Sequence, residues 1–467
     1  MSGNHQATLA IAVFLITYVI IVSEKFHRMV AALVGAVVVV LTGLMTWDNA
    51  INAIDFNTIG LLIGMMIIVG ITKKTGVFEY MAIKAARMAG GDPLRILVSL
   101  SLITAVLSAL LDNVTTVLLI VPVTFAITRQ LRVNPMPFLY AEIIASNIGG
   151  TATLIGDPPN IMIGSATGLG FMDFVLTLTP VVVVIYVLTI YWFQLLYRHQ
   201  LGAGKDMCSD IMQLNERAQI KNPLLLRQSL VILGLTILGF VVHQYVHLES
   251  SVIALTGASF LLLITKEDVG HTLQAVEWPV IFFFAGLFVV VGGLEETGVI
   301  ESVAKWALAA TGGNLLPTGL LILWLSALAS SFVDNIPFVA TMIPLIQDMG
   351  RLGGITDLNL LWWSLSLGAC LGGNGTIIGA SANIIVVGLA EKGGHLISFM
   401  NFLKIAFPMM LMSIIISTGY LMIWHLYGHL PVAGGTLGLG VILTLLLKPS
   451  KNMLIGPKGN ESNAGQH

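Results

Sequence analysis

Residues 108–113 read Ser-Ala-Leu-Leu-Asp-Asn, and residues 330–335, which lie 222 positions later, read Ser-Ser-Phe-Val-Asp-Asn. In each copy a proline follows the aspartate after ten residues, at Pro122 and at Pro344. Further pairs of residues keep the same offset: Gly35 and Gly257, Asp55 and Glu277, Gly64 and Gly286, Gly70 and Gly292, Gly76 and Gly298. Self-similarity at a fixed spacing and in a fixed order indicates that one half of the chain duplicates the other.

The composition indicates a lipid bilayer as the surroundings of this chain. Hydrophobic residues make up 56% of it, charged residues 10%, and the mean hydropathy is +0.91. That is too little charge to cover the surface of a soluble protein of 467 residues. The two cysteines, Cys208 and Cys370, exclude a disulfide framework and a Cys-based zinc or iron–sulfur site. The net charge of -2 gives no indication of a nucleic-acid partner.

Apolar runs long enough to cross a bilayer occur throughout the chain. The first run has no basic residue before it and no small-residue cleavage site after it, so we interpret it as a retained span. Two other stretches, 96–128 and 317–350, are interrupted midway by Asp-Asn and predict helical hairpins that enter and return on one side. The predicted full spans are 6–23, 29–47, 58–72, 138–168, 171–197, 228–246, 251–265, 279–294, 358–390, 400–424 and 430–447.

The positions of the basic residues predict the orientation of these spans. With the N-terminus outside, 20 of the 22 Lys and Arg residues fall in inside loops, and only Lys305 and Arg351 fall outside. This bias agrees with the positive-inside rule. We therefore expect a multi-pass protein of the cell inner (plasma) membrane, with its C-terminus in the cytoplasm.

The order of the spans predicts an all-α polytopic membrane protein built from two inverted repeats. Repeat 1 (6–197) and repeat 2 (228–424) each contain five transmembrane helices and one re-entrant hairpin, and an odd number of crossings inverts the second repeat. A cytoplasmic linker (198–227) joins them, an extra transmembrane helix (430–447) follows, and a disordered tail (452–467) ends the chain. Inverted repeats with interrupted helices are typical of secondary transporters, whose site lies between the repeats.

The two hairpin tips carry the first set of candidate binding residues. Non-helical backbone at membrane depth is tolerated only where it is buried in protein or lines a water-filled cavity. Carbonyl and carboxylate oxygens at such a break suit hard cations, whereas free amides suit anions. The alternative is that Asp-Asn only caps a tight turn. The candidates at the tips are Asp112, Asn113 and Thr115 in the first copy, and Asp334 and Asn335 in the second.

A second pair of segments predicts breaks within the spans 138–168 and 358–390. Gly-Gly is followed by small polar residues at 149–156 and again, at an offset of 223, at 372–379. Such stretches can unwind a helix and free its carbonyls, although close helix packing is the alternative interpretation. The second copy keeps the asparagine of Asp157-Pro-Pro-Asn160 but lacks the acid. The candidate residues are Gly149, Gly150, Thr151, Thr153, Asp157, Asn160, Gly372, Gly373, Asn374, Thr376 and Asn383.

Acidic residues within apolar runs are the candidates for proton coupling. They are Asp112, Asp334, Asp157 and Glu142, of which Glu142 lies near the start of its span, where an interfacial position is the alternative. The scattered histidines indicate no metal cluster, although Na+ could bind at the hairpin tips. We expect no cofactor, and Na+ or H+ as the coupling ion.

The motifs Leu111-Asp-Asn-Val-Thr-Thr-Val-Leu-Leu and Gly149-Gly-Thr-Ala-Thr-Leu-Ile-Gly-Asp-Pro-Pro-Asn160 resemble the signature segments of the ion transporter superfamily. The resemblance is to the branch with arsenite permeases, NhaD-type antiporters and P-protein-like members, and it is strongest to the last. It implies opposed hairpins facing unwound helices around a central site, a homodimer, and an elevator-like cycle. One half-site would contain Asp112, Asn113, Thr115 and Gly149 to Thr151, and the other Asp334, Asn335 and Gly372 to Asn374. The dicarboxylate symporters of this superfamily carry Ser-Asn-Thr at their tips, so the Asp-Asn tips here disfavour a multiply charged anion.

The predicted function is secondary active transport of a small ion or oxyanion, coupled to H+ or Na+. The alternatives are an anion or arsenite permease or channel-like uniporter, and a dicarboxylate/Na+ symporter. An enzyme is disfavoured because no nucleophile–base pair, phosphate loop or metal-ligand set lies within the spans.

Overall fold

The computed structural model describes residues 3–23, 25–201 and 215–446, and all regular structure in these ranges is helical. The predicted tail, 452–467, and much of the predicted linker lie outside the described residues. The first half contains α1 (Gly3–Ser23), α2 (Arg28–Leu41), α3 (Trp47–Asn52), α4 (Phe56–Lys74), α5 (Val77–Met88), α6 (Pro93–Leu110), α7 (Asn113–Leu131), α8 (Met136–Gly150), α9 (Pro158–Thr167) and α10 (Phe171–Tyr197).

The remaining helices follow a short 3-10 turn at Glu216–Gln219. They are α11 (Pro223–Val246), α12 (Ser250–Thr265), α13 (Val269–Leu273), α14 (Trp278–Glu296), α15 (Val299–Thr311), α16 (Leu315–Phe332), α17 (Asn335–Gly353), α18 (Asn359–Gly372), α19 (Ser381–Lys392), α20 (Phe399–Tyr427) and α21 (His429–Leu446). The linker predicted over 198–227 ends earlier than expected, because Asn222 caps α11 and Pro223 occupies its first turn.

Within the described residues, nine helices are long and apolar enough to cross a membrane. Three of the four arms of the predicted hairpins, α6, α7 and α16, are among them, and these arms have 18 or 19 residues. The predicted spans 138–168 and 358–390 are absent from this set because each consists of two short helices separated by a break. The chain is a polytopic helical protein, and the re-entrant path of the hairpins stays a prediction.

Short amphipathic helices were not predicted from the sequence. α5 and α15 are the longest of them, and each begins immediately after a glycine in the left-handed region, Gly76 (φ 79°) and Gly298 (φ 71°). This backbone conformation favours glycine, which explains why this pair recurs at the repeat offset. The helices α3 and α13 are shorter still, and all four are too short to be recognised as spans.

Each half packs its third long helix against the second helix of the other half. A Cβ on Gly64 of α4 would lie 2.6 Å from the main chain of Ala254 on α12. A Cβ on Gly286 of α14 would lie 2.7 Å from the main chain of Ala32 on α2. Gly64 and Gly286 are a repeat pair, and so are Ala32 and Ala254. Glycine therefore permits two equivalent close crossings between the halves.

The hairpins pack in the same way against the helices that precede the breaks. A Cβ on Gly149 of α8 would lie 2.1 Å from the carbonyl oxygen of Ala105 on α6, and one on Gly372 of α18 would lie 2.6 Å from that of Ala327 on α16. The hydroxyl groups add matching bonds, from Ser108 to the Ser146 carbonyl (2.6 Å) and from Ser330 to the Ala369 carbonyl (2.7 Å). These contacts recur at the repeat offset, and the opposite orientation of the two repeats in a membrane stays a prediction.

Candidate functional site

The two Asp-Asn tips form the turns between the arms of the hairpins. Asp112 caps α7, with Oδ1 accepting a hydrogen bond from the Thr115 main-chain N–H at 2.7 Å. Asp334 caps α17, with Oδ1 accepting from the Ile336 N–H at 3.1 Å. One carboxylate oxygen of each aspartate thus stabilises the helix start, and this cap leaves the second oxygen available for a different partner.

Asparagines stabilise both breaks in the helices. Asn160 of α9 donates from Nδ2 to the carbonyl oxygens of Thr151 (3.2 Å) and Thr153 (2.9 Å). Asn383 of α19 donates from Nδ2 to the carbonyl oxygens of Gly373 (2.8 Å) and Thr376 (2.9 Å). The unwound segments that follow Gly150 and Gly372 are therefore held by the first turn of the next helix, where their carbonyls find donors without water.

The side chains of Thr153 and Thr376 attach the breaks to the hairpins. Thr153 Oγ1 donates to the carbonyl oxygen of Ala109 at 2.5 Å, and Thr376 Oγ1 donates to the carbonyl oxygen of Ser331. Ser331 itself donates to the Gly372 carbonyl at 3.0 Å. Hairpin tip and broken helix therefore form one hydrogen-bonded unit in each half. Gly149, Gly150 and Gly372 take packing positions in these units.

A network of buried amides joins the two halves at the level of the tips. Asn113 donates from Nδ2 to Oδ1 of Asn147 on α8 at 3.2 Å. Asn147 in turn donates from Nδ2 to Oδ1 of Asn374 and to Oδ1 of Asn383, both at 2.9 Å. All of these side chains are at most 3% exposed. Asn147 therefore links the first tip to the break in the second half.

A second connection between the halves runs through Asp157 and Asn160. The buried carboxylate of Asp157 accepts from Nδ2 of Asn335 at 3.3 Å (Oδ1). Asn160 Oδ1 accepts from Ser366 Oγ at 2.6 Å and from Cys370 Sγ at 3.6 Å. Asp157 forms no salt bridge with the described residues. It is therefore a buried carboxylate held by neutral donors.

Arg28 reaches the second tip from α2. Its Nη1 lies 2.7 Å from Oδ2 of Asp334 and 2.5 Å from Oγ of Ser381, and Ser381 also donates to Asp334 Oδ2 at 2.7 Å. The guanidinium group lies 5.2 Å from the ring centre of Phe283. The sequence predicted Arg28 only as a loop charge, whereas the structure places it in contact with a predicted site residue.

A cavity of about 20 Å³ lies between the tips. Asp112 and Asn113 of the first tip, Asn335 of the second tip, and Asp157 contribute polar groups to it. Arg28, Glu277 and Ser381 complete its polar lining. A wider cavity of about 350 Å³ shares Arg28 and Ser381 and also borders Asp334. The structure therefore brings both predicted tips and Asp157 to a single small cavity, with Asp334 beside it.

Glu142 lies apart from this cavity. It is on α8, 1% exposed, and its Oε1 accepts a hydrogen bond from Thr124 Oγ1 of α7 at 2.5 Å. The side chain is buried among helices, and its depth in the membrane stays a prediction. Of the described residues, no three His, Cys, Asp or Glu side chains are grouped closely enough to hold a metal ion.

Four residues at the site were not predicted from the sequence: Arg28, Asn147, Glu277 and Ser381. Glu277 could have been found, since it pairs with Asp55 at the repeat offset as an acid in both copies. Asn147 is a polar residue inside an apolar run, two positions before Gly149, which is a comparable signal. Arg28 and Ser381 have no such signal, because only the packing of α2 against the second half brings them together.

Comparison with known proteins agrees with this architecture. A family model described as "Citrate transporter" matches residues 18–368. An uncharacterized transporter of Mycobacterium tuberculosis is 44% identical over 421 residues, which cover 89% of this chain and 98% of that protein. The human P protein is 34% identical over 507 residues, covering 91% of this chain and 60% of that protein. These matches confirm the resemblance to the branch with P-protein-like members.

A solved structure shares the fold. The crystal structure of the YdaH transporter of Alcanivorax borkumensis aligns with a TM-score of 0.50 and 15% identity, covering 82% of this chain and 90% of that one. Together with the apolar helices and the family match, this makes the chain a multi-pass membrane transporter of the citrate transporter family, within the ion transporter superfamily.

Proposed function

We propose that this transporter is a secondary active carrier in which a small cation binds in the cavity between the two tips and is exchanged against protons. The observation that carries the proposal is the lining of that cavity. Three carboxylates, from Asp112, Asp157 and Glu277, border it together with one guanidinium, from Arg28. Since Arg28 is already paired with Asp334, the carboxylates lack an equal number of positive charges.

Electrostatics favours a cation or proton at such a place. Carboxylates removed from water are costly unless an opposite charge or a proton neutralises them. Asp157 is fully buried and is held only by neutral donors, so its neutralisation depends on an ion or a proton that enters the cavity. The same groups repel a multiply charged anion. Asp112, Asp157 and Asp334 are the candidates for proton exchange at the site itself.

The size of the cavity supports a small occupant. A volume of about 20 Å³ exceeds the roughly 10–15 Å³ that one water-sized molecule requires. A dehydrated monovalent cation fits this space, whereas a tricarboxylate such as citrate needs a much larger opening. Citrate is named in the description of the family model, so it belongs in the substrate panel.

Two wider cavities support alternating access. One, of about 350 Å³, borders Arg28 and Asp334, and the other, of about 400 Å³, borders Asp55 and Pro344. With the predicted orientation, the first faces the cytoplasm and the second faces the outside. In the elevator-like cycle that we propose, the hairpins and broken helices move past the cross-packed helices α2, α4, α12 and α14. A homodimer in the plasma membrane, with the N-terminus outside, belongs to the same proposal.

The proposal is tested with purified protein in liposomes that contain a pH-sensitive dye. Na+, Li+, chloride, arsenite and citrate are added one at a time, with and without a pH gradient. We expect Na+ or Li+ to cause saturable proton movement that protein-free liposomes lack. Flux that rises linearly with concentration and needs no counter-ion would indicate a channel. Saturable movement of arsenite or citrate alone would replace the cation with an anion or a neutral substrate.

A further inference from the structure

The contact between Thr124 and Glu142 has an apolar counterpart in the other half of the molecule. Thr124 lies two residues after Pro122, and the residue two positions after Pro344 is Ile346. Glu142 lies seven residues before Gly149, and the residue seven positions before Gly372 is Leu365. Ile346 and Leu365 are 0% exposed and belong to the hydrophobic core. The same pair of positions is therefore polar in one half and apolar in the other.

This difference shows that the fold does not require a carboxylate at position 142. The helices α7 and α8 pack together in the first half as α17 and α18 do in the second. Two fully buried aliphatic side chains occupy these positions in the second half, and a carboxylic acid bonded to a threonine occupies them in the first. A buried acid at membrane depth is costly, so its presence indicates a function. The side chain of Glu142 also has one oxygen, Oε2, that is buried without a hydrogen-bond partner among the described residues.

Among the described residues, no positive charge is paired with Glu142. It forms no salt bridge with the described residues, and Thr124 is its hydrogen-bond donor. The other titratable side chains on α8 and on the helices packed against it are Cys370, His425 and the tyrosines of α8, α10 and α20. The charged residues of those helices lie within two turns of a helix end: Arg95, Arg129, Asp173, Glu391, Lys392 and Lys404. A proton is thus the counter-charge that fits this position.

Glu142 is also connected to the cavity between the tips, through helices α7 and α8. The first tip begins α7, and Asn113 at that tip bonds to Asn147 on α8. Thr124 and Glu142 form a second bond between the same two helices. Asn147 follows Glu142 by five residues, a rise of about 7.5 Å along the helix. A change in the charge of Glu142 would therefore act on the α7–α8 contact that positions the first tip.

We propose that Glu142 is a protonation site for coupling, separate from the cation cavity and present in the first half alone. The carboxylic acid releases its proton to water in one stage of the cycle and takes up a proton in another, while the cation binds between the tips. Thr124 keeps the carboxyl group oriented in both states. The inference rests on the proposed cation–proton exchange and identifies the residue that carries the proton. It makes Glu142 a positioning residue for the tip and not a ligand of the cation.

Two variants test this role. Glu142→Gln removes the titration and keeps the shape of the side chain. The double variant Glu142→Leu with Thr124→Ile reproduces the aliphatic pair of the second half, which shows that such a pair can be packed. Each variant is reconstituted in liposomes, and two quantities are measured with radioactive Na+. One is Na+/Na+ exchange at equal pH on both sides, and the other is Na+ movement driven by a pH gradient.

We expect both variants to keep the rate of Na+/Na+ exchange within about twofold of wild type. The rate of Na+ movement driven by the pH gradient should fall at least about tenfold. Gradient-driven movement at the wild-type rate in either variant would overturn the proposal. Loss of both activities in Glu142→Gln and in the double variant, with the protein still folded, would also overturn it, since Glu142 would then be needed for cation binding.

An independent measurement keeps this test separate from the proposed function. Infrared difference spectra recorded on a pH change report the carbonyl stretch of protonated carboxylic acids without any transport. We expect one such band to disappear in Glu142→Gln and to remain in Asp157→Asn. If wild-type protein moves no Na+ but the band assigned to Glu142 titrates, the proposed cation transport is refuted and the protonation of Glu142 is supported. If no band is lost in Glu142→Gln, the protonation site itself is refuted.

Discussion

Arg28 and Asp334, which are 306 residues apart in the chain, form an ion pair with 2.7 Å between Nη1 and Oδ2. The corresponding aspartate of the first tip, Asp112, forms no salt bridge among the described residues and borders the cavity instead. Two copies of one Asp-Asn motif therefore have different electrostatic states. The second tip is neutralised by the protein, whereas the first depends on what enters the cavity. Within the proposed cation site, this asymmetry favours a position nearer the first tip.

The ion pair predicts that substitutions of Arg28 and Asp334 have non-additive effects on the stability of the protein. Arg28→Gln leaves the carboxylate of Asp334, whose side chain is 9% exposed, without its guanidinium. The Arg28 side chain is 26% exposed, so the cost of removing it lies below the roughly 3–5 kcal/mol of a fully buried pair. We expect Arg28→Gln with Asp334→Asn to be more stable than Arg28→Gln alone in a double-mutant cycle of thermal unfolding in detergent. Additive effects of the two substitutions would contradict a direct pair.

The cavity carboxylates predict a loss of transport without a loss of protein. Asp112→Asn and Asp157→Asn keep the side-chain shape and remove the charge that we assign to cation binding. We expect each to reduce Na+-dependent proton movement at least about tenfold, with wild-type amounts of protein in the membrane. Asp48→Asn, at an exposed position on α3, is the matched control and should transport normally. Wild-type rates in both cavity variants would refute the site.

The hydrogen bonds of Asn147 predict that the thermal stability of the protein depends on the network of buried amides. Asn147→Leu removes three hydrogen bonds that connect the first tip with Asn374 and Asn383. Each buried polar group left without a partner costs about 1–3 kcal/mol. We expect a lower midpoint of thermal unfolding for Asn147→Leu. Asn147→Cys should be tolerated better, because the equivalent position in the second half is Cys370, which bonds to Asn160.

The close packing of the glycines before the breaks predicts that alanine lowers the unfolding temperature there but not at a glycine with no close neighbour. Gly149→Ala and Gly372→Ala would push a methyl group into the main chain of the hairpins, at 2.1 Å and 2.6 Å from a carbonyl oxygen. Overpacking of this kind costs about 1–3 kcal/mol. Gly419→Ala, on a helix where nothing lies within 4 Å, is the control. We expect only the first two variants to lower the unfolding temperature, and an equal effect of all three would contradict the observed packing.

Local sequence patterns predicted the elements that depend on local chemistry. Asp-Asn between apolar runs predicted the turns at Asp112 and Asp334, since a carboxylate in this position caps the following helix. Gly149-Gly150 and Pro158-Pro159 predicted the break in the span 138–168, because neither pair sustains regular helix. The repeat offset then predicted the corresponding break after Gly372. These features need no knowledge of distant contacts.

The sequence did not predict the contacts that arise from packing between the halves. Arg28 was assigned to a loop because it precedes an apolar run, and nothing local indicates that α2 places it beside Asp334 and Ser381. Cross-packing of α2 with α14 and of α4 with α12 decides which side chains meet at the cavity. Gly149 and Gly372 were candidates for ion binding, which stays a prediction, and the structure shows that both lie in close contact with the hairpins.

The reactivity of a cysteine at each tip tests whether one cavity lies between both tips and opens alternately to the two sides of the membrane. Val114→Cys and Ile336→Cys both border the cavity, and they are made with Cys208→Ser while the fully buried Cys370 is kept. A membrane-impermeant thiol reagent is applied to right-side-out and to inside-out vesicles, with and without Na+. We expect each cysteine to react from both sides and Na+ to slow both reactions. Reaction of both cysteines from one side only, at rates indifferent to Na+, would contradict this expectation.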